Sequence, residues 1–183
     1  MIRLLGTIDL PVAVPHLPQA LLAYLITHSQ RMFHRDELVD ALSLNNRKEL
    51  RQHLWRLGPL KEACQIEGDF IGFNGYPTDV IDFEFGGNLE AYGGPLLPGW
   101  QDDWALYQRV RLDMLFFDRA FSQMRIFLAG RRYEDVEKIA AMMLRIDPSF
   151  TPALRGMCES LEGRGLAEVA ARYRVRLEDP YES

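Results

Sequence analysis

The residues best suited to a binding function lie in one short segment, NNRKELRQHLWRLGPLK, at positions 45–61. If this segment is a helix, Leu50, Leu54 and Leu57 share one side, with His53 at its edge. The opposite side carries cations, an amide and a tryptophan. Arginine can pair with guanine and glutamine with adenine, while further cations neutralise phosphates. The sequence therefore predicts a DNA-recognition helix whose contact residues are Arg47, Lys48, Arg51, Gln52, Trp55 and Arg56.

The charge of this segment opposes the charge of the whole chain. The 183 residues include 21 Lys and Arg against 26 Asp and Glu, a net charge of −5, whereas positions 47–61 hold five basic residues and one glutamate. An acidic chain argues against a histone-like packager or a polybasic membrane binder, but it is compatible with one narrow basic contact. A charged outer face is also common on helices that are only solvated, and that interpretation stays open.

No sequence pattern typical of an enzyme, a cofactor site or a metal site occurs. P-loop, G-x-S-x-G and G-x-G-x-x-G motifs are absent, and none of the four histidines has the spacing of a metal ligand. The pair Asp102–Asp103 indicates a helix cap rather than a catalytic pair. We therefore expect no catalytic residue, no cofactor and no metal.

The cysteines and the hydropathy of the chain indicate a cytoplasmic location. Cys64 and Cys158 are far apart and form no C-x-x-C motif, as expected of reduced thiols. The N-terminal apolar run is too short for a signal peptide, and no window approaches 18 uncharged apolar residues. The sequence therefore predicts a protein without a membrane partner.

Three helices and a hairpin are expected to position the basic side chains. Strand-like pieces at 2–5 and 8–14 are followed by helices at 18–28, 35–42 and 47–57, then by a hairpin at 64–73 that turns at Gly68–Asp69. Asn45 or Asn46 is the expected N-cap of the third helix, with Glu49 completing a capping box behind Asn46. This order predicts a winged helix-turn-helix domain over residues 1–85.

An internal repeat marks the second half of the chain. GRRYEDVEKIAAMMLRIDP, from Gly130, aligns with GRGLAEVAARYRVRLEDP, from Gly163, and Asp147–Pro148 matches Asp179–Pro180 after a one-residue slip. A helix precedes each copy, at 103–128 and 152–162. Helix, glycine turn, helix and Asp-Pro are typical of tetratricopeptide repeats, so we expect a TPR-like all-α domain of helical hairpins over 102–183. A generic helical bundle is the alternative. The Gly- and Pro-rich residues 86–101 are the expected linker.

Several motifs together resemble one family of regulators. They are YGGPLLPGWQDDWALYQRVRL (92–112), the first repeat copy (130–148), Val14–Pro15, Arg35–Leu38, and Arg47, Leu50, His53, Arg56 and Leu57 in the third helix. The chain thereby resembles the bacterial transcriptional activator family typified by Streptomyces antibiotic regulatory proteins. These join an OmpR-type winged helix-turn-helix to a TPR-like bacterial transcriptional activator domain. The resemblance implies promoter DNA binding, homodimerisation on direct repeats and contact with RNA polymerase.

Two functions follow from the sequence. The first is a DNA-binding transcriptional regulator that places its third helix in the major groove and uses its TPR-like domain for dimer or partner contacts. The second is a protein-interaction adaptor with a degenerate winged helix that no longer binds DNA. The acidic turn Glu67–Gly68–Asp69 and the short link 43–46 between the second and third helices favour the adaptor. In both cases the expected fold is mainly α with a small β component.

Overall fold

A computed structural model describes residues 1–178 of the chain, which are mainly helical with one small antiparallel sheet, as predicted. No helix in this part of the chain is long and apolar enough to cross a membrane. Two compact units are present, Met1–Leu112 and a second unit that begins at Asp113. The helices are α1 (His16–Thr27), α2 (Arg35–Ala41), α3 (Arg47–Arg56), α4 (Asp79–Glu84), α5 (Asp103–Ala129), α6 (Tyr133–Ile146), α7 (Thr151–Gly163) and α8 (Ala167–Glu178).

The sheet of the first unit has three strands, β1 (Phe33–His34), β2 (Cys64–Glu67) and β3 (Phe70–Phe73), in the order β1-β3-β2. All pairs are antiparallel, and Ile71 of the central strand lies opposite both Phe33 and Ile66. The predicted hairpin is confirmed, with Gly68 in the left-handed conformation that a two-residue turn requires. Helices α1, α2 and α3 share one hydrophobic core with the sheet. The fully buried side chains of this core include Leu21, Leu25, Leu38 and Leu50.

The N-terminal segment corrects the predicted strands at 2–5 and 8–14. Only single bridges form, from Ile2 to Thr78, Arg3 to Asp9 and Leu5 to Leu96. The buried carboxylate of Asp79 replaces the partner strand that was expected here, since it accepts backbone hydrogen bonds from Leu4 and Leu5 at 2.9 Å. Burial raises the pKa of Asp79, against the lowering effect of these bonds. A side chain thus satisfies the amides that a strand ladder was expected to satisfy.

Residues 86–101 are part of the first unit, which differs from the linker predicted there. Leu96 and Leu97 are almost fully buried, and the Leu97 amide donates to the Leu4 carbonyl at 2.8 Å. Arg109 of α5 donates to the carbonyl oxygens of Leu96, Leu97 and Trp100 at 2.6–3.0 Å. These contacts attach both the segment 86–101 and the first turns of α5 to the core of the first unit. The division between the units consequently lies inside α5, after Leu112.

The second unit contains the remainder of α5 followed by α6, α7 and α8. Helix α7 packs against both α6 and α8. The two repeat copies form α6 and α8, which begin 34 residues apart at Tyr133 and Ala167, each after a turn with a left-handed residue, Arg131 or Gly165. This separation is one residue longer than the 33 residues between Gly130 and Gly163, whereas the slip expected at the end of the repeat shortens the offset to the 32 residues between Asp147 and Asp179. The match of Asp179–Pro180 lies outside the described residues.

Candidate nucleic-acid interface

Helix α3 begins at a side-chain cap. The Asn46 side chain accepts hydrogen bonds from the backbone amides of Lys48 at 2.9 Å and Glu49 at 3.1 Å, as the predicted N-cap requires. The capping box differs from the prediction by one residue, since the Glu49 carboxylate accepts from the Asn45 amide at 2.8 Å. This bond lowers the pKa of Glu49. The cap fixes the first turn of α3 and hence the direction of every side chain that follows.

The packing of α3 turns the predicted contact face toward solvent. Leu50, Leu54 and Leu57 are at most 3% exposed, and they hold the inner face in the core. The outer face is open, and Trp55 alone is 78% exposed. All six predicted residues are exposed in the structure: Arg47, Lys48, Arg51, Gln52, Trp55 and Arg56. The apolar spacing in the sequence was sufficient to predict this orientation.

His53 lies on the buried side of α3 and is 4% exposed. Neither ring nitrogen has a hydrogen-bond partner in the described part of the chain, and Nε2 is 3.6 Å from a Glu49 carboxylate oxygen. The imidazole therefore belongs to the interior of the unit and takes no part in the contact face.

Arg47 differs from the other predicted contact residues because carboxylates already hold it. Its guanidinium donates two hydrogen bonds to Asp36 of α2, and it lies 3.5 Å from a carboxylate oxygen of Asp69. The hydrogen bonds from Arg47 lower the pKa of Asp36, and in return they raise the pKa of Arg47. Arg47 thus connects α3 to α2 and to the hairpin turn, and it is less free to reach a phosphate.

The hairpin turn is tied to the start of α2. The Arg35 amide donates to the Asp69 carbonyl at 2.9 Å, and the Arg35 side chain donates to the Gly68 carbonyl at 3.2 Å. The Arg35 guanidinium also lies 3.6 Å from the Asp69 carboxylate. The Asp69 carboxylate therefore lies close to two arginines, Arg35 and Arg47, and these contacts fix the hairpin beside α3.

Between α3 and the hairpin lies a cleft of about 520 Å³, lined by Arg35, Arg47, Arg51, Leu54, Trp55, Lys61, Ile66, Gly68 and Asp69. No family model, curated protein or solved structure matches the chain. The chemistry of this cleft is consequently judged from its own side chains, which are four cations and one carboxylate around the apolar surfaces of Leu54, Trp55 and Ile66.

Four cations on or beside the cleft are available to an anion. Within residues 1–178, Lys48, Arg51, Arg56 and Lys61 form no ion pair, unlike Arg35 and Arg47. Arg35 and Lys61 were not among the predicted contact residues. The positive charge of the segment 47–61 could have identified Lys61 as a contact residue. Arg35 belongs to α2, and only the packing of α2 beside the hairpin brings it to the cleft.

Neither cysteine lines this cleft. Both cysteines are free and buried, and burial raises the pKa of Cys64 to about 12, so its thiol stays protonated at neutral pH. In the described residues, no group of three His, Cys, Asp or Glu side chains is placed to hold a metal ion. The cleft beside α3 is the candidate site.

Proposed function

We propose that the protein is a DNA-binding transcriptional regulator that inserts α3 into the major groove. The observation that carries the proposal is the exposed outer face of α3, where Gln52 and Trp55 lie among three cations that have no carboxylate partner within residues 1–178, namely Lys48, Arg51 and Arg56. Such a face can neutralise phosphates and also offer donors to base edges.

The order of elements around α3 supports a winged helix-turn-helix. Three helices and a short strand precede a two-stranded hairpin, and the strands lie in the order β1-β3-β2. Helix α3 packs on both α1 and α2 while its other side faces solvent. In this arrangement α3 is the recognition helix and the hairpin β2–β3 is the wing.

The side chains of α3 divide into two chemical roles in this proposal. Arg51 and Arg56 have forked donors that pair with the two acceptors of guanine, and Gln52 has the donor and acceptor that adenine requires. Lys48 and Lys61 act as point charges toward phosphates. Trp55 presents an apolar surface suited to contact with a thymine methyl group.

The second unit is proposed to be TPR-like and to mediate dimer or partner contacts. The 34-residue separation of α6 and α8, with similar turns before each, supports a repeated helical hairpin. Homodimerisation and contact with RNA polymerase are parts of the proposal that follow from the family resemblance alone.

A second candidate function, a protein-interaction adaptor, is favoured by the acidic hairpin turn. Asp69 lies at the tip of the proposed wing and occupies Arg35 and Arg47, where a duplex would bring phosphates. Next to it, Trp55, Ile66 and Phe70 are 78%, 39% and 48% exposed, an apolar surface suited to another protein.

The deciding experiment selects duplexes from a random-sequence DNA pool with the full chain and then measures their binding over a range of salt. For a regulator, log Kobs falls linearly with log salt, by about 0.9 for each phosphate neutralised. Arg51→Ala and Arg56→Ala are each expected to lose roughly 1–3 kcal/mol on the selected duplex. Arg172→Ala, which removes an exposed cation from α8, is the matched control and should bind as the wild type does.

Two outcomes contradict the proposal. If both α3 variants bind the selected duplex like the wild type, α3 is not the reading helix. If the pool yields no enriched duplex and no salt-dependent binding at low salt, the protein does not bind DNA, and the adaptor becomes the better explanation.

A further inference from the structure

The second unit contains a groove of about 380 Å³ between the C-terminal half of α5 and helix α7. It is lined by Phe121, Met124, Arg125, Leu128, Pro152, Arg155, Gly156 and Glu159. All of these residues follow Leu112, so the groove belongs to the second unit by itself. It is separate in the sequence from every residue of the cleft beside α3.

The floor of the groove is apolar and tightly closed. Met124 is 1% exposed and fits into the space left by the missing side chain of Gly156, where an added Cβ would lie only 2.5 Å from the methionine sulfur. Phe121 and Leu128 continue the apolar lining along α5, and Pro152 continues it along α7. The floor has room for one or two large apolar side chains.

The two walls of the groove each carry an arginine without a carboxylate partner. Arg125 and Arg155 are exposed, and neither forms an ion pair within the described residues. The guanidinium of Arg125 lies 5.9 Å from the centre of the Phe121 ring, so its charge stays close to the apolar lining. Glu159 lies one helical turn beyond Arg155 but is not paired with it.

We propose that this groove binds an acidic peptide segment in which carboxylates flank a large apolar side chain. The apolar side chain would cover Met124 and Leu128, and the carboxylates would pair with Arg125 and Arg155. Charge complementarity decides the occupant, because two unpaired guanidiniums on opposite walls repel a basic segment and leave a neutral one without partners for them. This binding site deepens the proposed role of the second unit in partner contacts, on which it rests, and does not depend on DNA binding by the first unit.

The test presents a phage-displayed library of random dodecapeptides to the full chain. Peptides enriched on the wild type should carry Asp or Glu on both sides of Phe, Leu or another large apolar residue. In fluorescence anisotropy with a selected peptide, Arg125→Glu and Arg155→Glu should each weaken binding about tenfold, since each turns an attraction into a repulsion. Arg172→Glu on α8 is the matched control and should leave the affinity unchanged. Glu159→Gln removes the carboxylate beside Arg155 and should tighten binding severalfold.

The result can contradict the proposal in several ways. It is overturned if no peptide is enriched, if the enriched peptides lack acidic residues, or if they bind both charge-reversed variants as tightly as the wild type. It is also overturned if 4-phenylbutyrate, a small apolar carboxylate, binds with the affinity of the selected peptides, because the occupant is then a small molecule. Circular dichroism checks the folding of each variant, and Arg125→Gln with Arg155→Gln replaces any variant that fails to fold.

Discussion

At the scale of single residues, the carboxylate of Asp69 bears directly on the chemistry of the candidate interface. Its carboxylate lies within 3.6 Å of Arg35 and Arg47, so it holds the hairpin turn against α2 and α3. The same carboxylate lowers the positive potential where a phosphate would approach. Asp69 therefore stabilises the position of the hairpin and at the same time weakens the attraction of the cleft for an anion.

Replacing this carboxylate should favour DNA. Asp69→Asn is expected to tighten duplex binding roughly two- to fivefold at low salt, because Arg35 then loses its carboxylate partner and Arg47 keeps only Asp36, which makes the potential around both arginines more positive. The log–log salt dependence should also steepen by about 1 for each additional phosphate contact. Fluorescence anisotropy over a range of salt measures both effects.

Glu67→Gln is the control for this prediction. Glu67 lies on the same hairpin, and its carboxylate accepts a hydrogen bond from the Gln65 side-chain amide and pairs with no cation within residues 1–178. The variant therefore removes the same charge without releasing an arginine. If Asp69→Asn binds duplex no better than Glu67→Gln does, the two arginines are not DNA contacts.

At the scale of elements, the side-chain cap of Asn46 holds the start of α3. Asn46→Ala leaves the Lys48 and Glu49 amides without their side-chain acceptor, and we expect it to lower the free energy of unfolding by about 1 kcal/mol. Urea denaturation measures the change. Asn45→Ala is the comparison: it removes an exposed bond from the Asn45 side-chain amide to Glu49 at 2.9 Å, but the Asn45 backbone amide keeps its bond to the same carboxylate, so the variant should cost less than Asn46→Ala. Equal destabilisation by both variants would contradict the assignment of the cap.

A chain of hydrogen bonds in the first unit joins α1 to α5. Arginine can only donate, so Arg111 donates to the Gln108 carbonyl oxygen at 2.6 Å, and Gln108 then donates to His28 Nε2 at 2.9 Å. The proton of His28 consequently lies on Nδ1, which donates to the Tyr24 carbonyl at 2.8 Å. Every bond in the chain points the same way, and this order requires a neutral imidazole.

Acid should weaken this connection. Desolvation by burial is the main cause of a lowered pKa for His28, so the unfolded chain takes up a proton at a higher pH than the folded chain. By linkage, the free energy of unfolding falls as the pH drops below the ordinary histidine pKa of 6.5, until the folded form is protonated as well. Urea denaturation at several pH values measures this fall. It should be smaller in His28→Asn, and an identical pH dependence in the two proteins would contradict the prediction.

At the scale of the whole molecule, the two proposed sites lie in different compact units. The cleft beside α3 is built from residues 35–69, and the groove between α5 and α7 from residues 121–159. In a chain with a net charge of −5, each site presents at least one arginine that forms no ion pair within residues 1–178, Arg51 in the cleft and Arg125 and Arg155 in the groove. Each is thus a local exception to the acidic character of the chain, one suited to phosphates and the other to carboxylates.

The two binding activities should therefore be separable by mutation. Arg51→Ala is expected to weaken binding of the selected duplex and to leave the acidic peptide's affinity within about twofold of the wild type, since the two sites belong to different compact units and share no residue. Arg155→Glu should do the opposite. Anisotropy with both probes on both variants provides the measurement. Loss of both activities in either variant would show that the sites are coupled or that the variant is misfolded.

The sequence by itself determined the elements whose signals are local. The three-to-four-residue spacing of Leu50, Leu54 and Leu57 was enough to place the inner and outer faces of α3, and the Gly68–Asp69 pair was enough to place the hairpin turn. The long helix α5 and the repeat helices α6 and α8 follow from the same periodicity and from glycine stop signals. Each of these signals depends on residues within a few positions of one another, which is why it can be recognised without the fold.

The tertiary structure alone decided which distant groups meet. It paired Arg47 with Asp36 and Asp69, and it placed Met124 in the space beside Gly156. It also buried Leu96 and Leu97 of the segment 86–101, which composition suggested was a linker. Such contacts depend on how the elements pack, and the period of one helix carries no information about the residues that another element brings to it. For this reason the contact face of α3 was predictable, but the carboxylates that hold Arg47 and the groove beside α7 were not.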